Sequence, residues 1–107
     1  MRCYLSGPIS AATDEAVAAN KARMRAAEAA LQSLGHSVVC PLDNGLHESA
    51  KWEEHMRADV RMMLAPDVEA VVLMDGWSNS DGAKEEERIA RRFGMRTLAY
   101  AVVISMP

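Results

Sequence analysis

Two carboxylates in this sequence stand where a carboxylate is hard to accommodate. Between residues 82 and 93, Ala83, Glu86, Ala90 and Phe93 recur at three- and four-residue intervals, so on a helix they share one stripe. Trp52, Met56, Asp59 and Met63 repeat the pattern earlier in the chain. A charge on such a stripe points toward packed layers, which is unfavourable unless a partner or a task compensates. Buried carboxyl groups hold protons more tightly, which suits proton donors, and a positioned carboxylate is also a nucleophile. Spacing alone leaves a second reading open, in which the carboxylates reach water from the stripe edge or Asp59 pairs with Arg57 or Arg61. Glu87 lies on a tolerable edge of the same face, so spacing does not separate it cleanly from Glu86. Glu85, about 100° round the helix, should face solvent. An acidic turn favoured by the helix dipole accounts for Glu85 well and Glu86 poorly. His55 and Asp59 have the i, i+4 spacing of metal ligands, but a third ligand at fixed spacing is missing and His47 is only a loose candidate, so no metal is expected.

The elements that position these groups alternate short apolar runs with helical patterns. Arg2 to Ser6 reads as a strand stopped by Gly7-Pro8. Val17, Asn20, Met24, Ala27, Leu31 and Leu34 mark a helix from about Asp14 to Leu34, capped by Thr13 or Asp14 and stopped by Gly35. Ser37 to Cys40 is a second strand, ended by Pro41, and residues 42–49 read as a loop. A second helix spans roughly Ala50 to Ala65. Glu69 to Met74 is an apolar strand covered on both faces. Residues 75–81 form a polar loop, and a third helix runs from Gly82 to Phe93. Arg96 to Tyr100 opens a fourth strand that Ala101 to Ser105 prolongs. The 107 residues thus predict one α/β domain, a Rossmann-like (flavodoxin-like) three-layer sandwich with a mainly parallel sheet of order 2-1-3-4.

Ligands of such sheets bind outside the carboxyl ends of the strands, where the order reverses. That point gathers Ser6, Gly7, Pro8, Ile9 and Ser10 with Asp75, Gly76, Trp77, Ser80 and Gly82 as candidate substrate-binding residues. Neither segment carries the dinucleotide glycine pattern or the phosphate loop, although the second leads into a helix whose amides can face an anion.

Bulk properties exclude several classes. The net charge is −3 without a basic block, which disfavours nucleic acid as a partner. No apolar run reaches membrane-spanning length. Cys3 and Cys40 lie in apolar runs and read as reduced, buried thiols. Met1 to Leu5 is too short for a secretory signal, so a cytoplasmic protein is expected. The eight methionines read as adaptable core filling.

Several stretches together resemble a small bacterial and phage branch of the nucleoside 2-deoxyribosyltransferase superfamily. They are Tyr4-Leu5-Ser6-Gly7-Pro8-Ile9, Gly35-His36-Ser37-Val38-Val39-Cys40-Pro41, Trp52 to Asp59, and Gly76 to Ala83 followed by Glu86 and Ala90. The resemblance rests on their order and spacing. It implies that Glu86 attacks the anomeric carbon, that Asp59 contacts or protonates the leaving base, and that Tyr4 helps hold nucleophile and sugar. Ser80 matches the serine with which the superfamily's nucleotide hydrolases contact a 5′-phosphate, whereas Ser10 stands where they carry a phosphate-binding arginine. The implied activity is cleavage or base exchange at a nucleoside or nucleotide N-glycosidic bond through a glycosyl-glutamate, with no cofactor. Trp77 either stacks on the base or simply packs. A homodimer or higher homo-oligomer is expected, because the core is small and relatives complete their sites across subunits. The alternative is a binding module of the same fold that captures a nucleotide or nucleotide signal without cleaving it.

Overall fold

A computed structural model describes residues 1–106. Strand β1 (Arg2–Ser6) is followed by α1 (Asp14–Ser33), β2 (Ser37–Val39), α2 (Trp52–Met63), β3 (Ala70–Leu73), α3 (Asp81–Arg92), β4 (Arg96–Ala99) and α4 (Tyr100–Ser105). The four strands are hydrogen-bonded in the order β2-β1-β3-β4, and every pairing is parallel. Helices cover both faces, so the sheet is the middle layer of the expected sandwich.

The period of two along a strand decides which side chains meet which helix. On one face Cys3, Leu5, Val72 and Met74 pack with Met24, Ala27 and Leu31 of α1 and with Val103 of α4. On the other, Tyr4, Val71 and Leu73 pack with Met63 of α2 and Ala90 of α3. Tyr4 and Ser6 therefore share the α2–α3 face. Cys3 and Cys40 are both buried free thiols.

Local signals set the helix starts. Thr13 accepts from the Ala16 amide at 3.1 Å and Ser80 from the Ala83 amide at 3.2 Å, each satisfying a donor that the first turn leaves open. The turn before α3 depends on Gly76, whose φ of 85° is left-handed.

Four sequence expectations are corrected. Residues 101–105 do not prolong β4. The register of β3 ends at Leu73 opposite Ala99, so a longer strand would have no partner there. The chain turns into α4 instead, which buries Val103 against the sheet. Phe93 is 68% exposed, because α3 ends at Arg92 and the apolar stripe finishes at Ala90. Trp52, at the first turn of α2, is also largely exposed. Residues 41–43, where the second strand passes into the expected loop, form a 3-10 turn.

Gly7 lies where β1 leaves the sheet, and a Cβ added there would come within 2.8 Å of the Met74 Cβ and 2.9 Å of its sulfur. Gly7→Ala should therefore lower unfolding stability by roughly 1–3 kcal/mol, read from urea denaturation, since a backbone-anchored neighbour cannot move aside freely.

Candidate active site

Glu86 sits on the second turn of α3, facing the sheet between two small neighbours, Ala83 and Ala90, all three buried. Small residues either side let the helix approach β1 closely. The Tyr4 hydroxyl donates to Oε2 of Glu86 at 2.7 Å, and the Ser6 hydroxyl donates to Oε1 at 2.7 Å. Tyr4 and Ser6 are fully buried and Glu86 is 4% exposed. Each carboxylate oxygen thus has one short hydroxyl donor, and the plane of the group is fixed from two points.

The electrostatics follow from the burial. Loss of water pushes the Glu86 pKa up to about 7, against the opposing pull of the Tyr4 and Ser6 hydrogen bonds and with a further push from Asp59. Burial also raises the Tyr4 phenol well above its usual range, and the charges of Glu86 and Asp59 add to this. Tyr4 is therefore a permanent donor. Asp59, on the inner face of α2 and 7% exposed, is raised by burial, an effect that Asn44 and His55 oppose.

The structure separates the three adjacent glutamates. Glu85 pairs with Arg88 at 2.8 Å and Glu87 with Arg91 at 2.7 Å, whereas Glu86 turns inward and meets only hydroxyls. Among the described residues neither Arg57 nor Arg61 pairs with Asp59. Its partner is Asn44, whose Nδ2 donates to Oδ1 at 2.9 Å. Asn44 follows the 3-10 turn Pro41–Asp43 at the carboxyl end of β2, inside the segment that sequence pattern marks only as loop. Its one signal there is position, since polar side chains at that edge face the ligand end of the sheet.

The remaining candidates differ in their surroundings. Pro8 and Gly76 lie near each other, bringing the two loops together, and Trp77 packs half-buried against the core cluster that includes Tyr4, Met63 and Leu73. Gly82 lies against Met56 and Trp52. Ser10 and Asp75 are exposed. Three others have structural partners: Ser6 holds Glu86, Ser80 caps α3, and the Ile9 carbonyl accepts from Asn20 at 3.1 Å.

A groove of about 760 Å³ between α2 and α3 is lined by Trp52, Met56, Val60 and Ile89 with Arg57, Arg61 and Glu85. None of Tyr4, Ser6, Asp59 or Glu86 lines it, so burial and hydrogen bonding locate the candidate site, not volume. Ligand atoms of Glu28, Cys40 and Asp43 lie within 4.8 Å of one another, but Arg25 already engages both carboxylates.

This geometry defines an α/β sheet protein with a buried, hydroxyl-held carboxylate at the switch point of its strands. A solved 2-deoxyribosyltransferase from Bacillus psychrosaccharolyticus has the same fold. The TM-score is 0.67 over 92% of this chain and 71% of that one, at 19% identity. Residues 1–99 match the family described as a domain of unknown function, DUF4406, and the chain belongs to it. No curated protein matches the sequence.

The burial of Glu86 has a measurable signature. The folded chain keeps its proton until about pH 7, while an unfolded glutamate releases it near pH 4.3. The stabilisation that the neutral carboxyl gives is thus complete in acid and lost as the pH rises through about 7. Glu86→Gln, which keeps the shape and stays neutral, should gain stability relative to the wild type as the pH rises from about 4 to about 7 and hold that gain above it, by on the order of 4 kcal/mol in urea denaturation.

Proposed function

We propose that the protein cleaves or exchanges the N-glycosidic bond of a nucleoside or nucleotide through a covalent ester on Glu86. The observation that carries this reading is the Glu86 carboxylate, buried yet held by Tyr4 and Ser6 at the carboxyl ends of β1 and β3. A surface ion pair has no use for such a mount, whereas a nucleophile must be aimed. The shared fold of a 2-deoxyribosyltransferase supports the substrate class.

In the first step a Glu86 oxygen bonds to C1′ as the C1′–N bond breaks. The electron pair leaves with the base, which takes a proton from Asp59. The carboxylate charge stabilises the oxocarbenium-like transition state. In the second step water, or the nitrogen of another base, attacks C1′ and frees Glu86, and Asp59 recovers a proton. Tyr4 and Ser6 keep the carboxylate plane fixed throughout. No metal or organic cofactor enters the scheme. The reading also includes a homodimer or larger assembly, which would cover apolar side chains such as Trp52 and Phe93.

Asp59 and Glu86 titrate as a pair, and the reactive form carries one proton between them. The pH profile of kcat/KM should be bell-shaped. Its alkaline limb should lie near pH 7, where the pair loses that proton.

The decisive experiment is chromatography of a nucleoside and 5′-nucleotide panel after incubation, with and without an acceptor base. Released base or exchanged nucleoside is expected. Glu86→Ala should lose ~10³-fold or more in turnover, while Glu85→Ala keeps most of it. Equal losses in the two variants would reject Glu86 as the nucleophile. Calorimetric binding of a panel member without any cleavage would instead favour the binding module. Light scattering at micromolar protein should give at least the dimer mass.

A further inference from the structure

Asn44 makes three side-chain contacts, one at its amide oxygen and two at its amide nitrogen. The Leu46 backbone N–H donates to its Oδ1 at 3.0 Å. Because an N–H can only donate, this contact fixes which end of the amide is oxygen. The other end, Nδ2, then directs one hydrogen to Oδ1 of Asp59 at 2.9 Å and faces Nδ1 of His55 at 3.0 Å. His55 lies one turn before Asp59 on α2. For the second contact to be a hydrogen bond, Nδ1 of His55 must accept, so the imidazole is neutral with its proton on Nε2.

The same geometry distinguishes the two oxygens of Asp59. Oδ1 is occupied as the acceptor of an amide, and Oδ2 has no hydrogen-bond partner among the described residues. A protonated carboxyl keeps its carbonyl-like oxygen toward a donor, so the proton belongs on Oδ2. The Asp59 partner is a neutral amide and not a cation, which leaves the group free to hold that proton. The titratable groups around Asp59 are His55 on α2, Tyr4 on β1 and Glu86 on α3.

We infer that Asn44 is a positioning residue that assigns the Asp59 proton to Oδ2 and locks His55 as its neutral Nε2–H tautomer. The proton-delivery half of this inference rests on the glycosidic reading above. The amide lock does not, and it is measurable without a substrate.

The first measurement is the ¹⁵N spectrum of the His55 ring at a pH where imidazole is neutral. The wild type should show the Nε2–H tautomer. Asn44→Ala should lose that preference, and Asn44→Asp, which swaps donor for acceptor at nearly constant shape, should invert it to Nδ1–H. A wild-type Nδ1–H tautomer, or one unchanged in both variants, would overturn the lock. Should the alanine variant fail to fold, the aspartate variant still decides the question.

The second measurement compares guanosine and 2′-deoxyguanosine with their 7-methyl counterparts, whose base departs without needing a proton. Asn44→Ala should lower kcat/KM roughly 10- to 100-fold on the ordinary nucleosides and under about threefold on the methylated ones. Asn44→Ala added to Asp59→Asn should cost nothing further. An equal loss on both substrate types would mean that Asn44 supports only the fold, and would overturn proton placement. Absence of turnover by the wild type would remove the glycosidic reading and proton delivery together, while the tautomer experiment would still judge the lock.

Discussion

Glu86 is almost wholly removed from water on a helix whose other inward positions are alanines, and its two hydroxyl partners come from a single strand. An ionised carboxylate in such a place is unfavourable by several kcal/mol unless its oxygens are bonded. Every nearby feature bears on that requirement. Tyr4 and Ser6 are two residues apart, so the pleat turns both toward α3 while Leu5 faces α1. Ala83 and Ala90 leave room for the helix to come close. Gly7, pressed against Met74, carries the chain away from the carboxyl end of the strand without a side chain in the way. Hydroxyls in place of an arginine leave the group able to gain and lose a proton near neutrality.

Asp59 is built on the opposite principle. Glu86 has a donor on each oxygen, whereas Asp59 has a donor on one and an open position on the other. A carboxyl held at one oxygen can pass a proton through its free one, and a carboxylate held at both is aimed but not easily turned. The chain thus gives two chemically identical groups, facing one side of the sheet from adjacent helices, different capacities through their neighbours.

Much of this was legible in the sequence, for identifiable reasons. Apolar runs and helical stripes predict the four strands, the order 2-1-3-4 and the inward direction of Glu86 and Asp59, because periodicity records which side is packed. The legibility fails where tertiary contact overrides period. Phe93 continues the stripe of α3 beyond the sheet it would cover, and Ala101 to Ser105 has strand-like composition but no strand to pair with. Asn44 has no periodic signal, since an irregular turn carries it and its partners lie on another element. Ser6 was legible as a residue of the ligand loop but not as a holder of Glu86, because that depends on the distance between β1 and α3.

The contacts Tyr4–Glu86 and Ser6–Glu86 join residues separated by 82 and 80 positions. Strand β1 lies in the interior of the sheet although it is first in the chain, and both of its neighbours arrive later. Long loops must close before these pairings yield any stabilisation, so the pocket belongs to the late stages of folding. A partly folded chain, with β1 paired to β2 alone, would expose Tyr4 and leave Glu86 in water with an ordinary acidity. The Glu86 carboxyl group therefore acquires its raised proton affinity only when the last crossover docks.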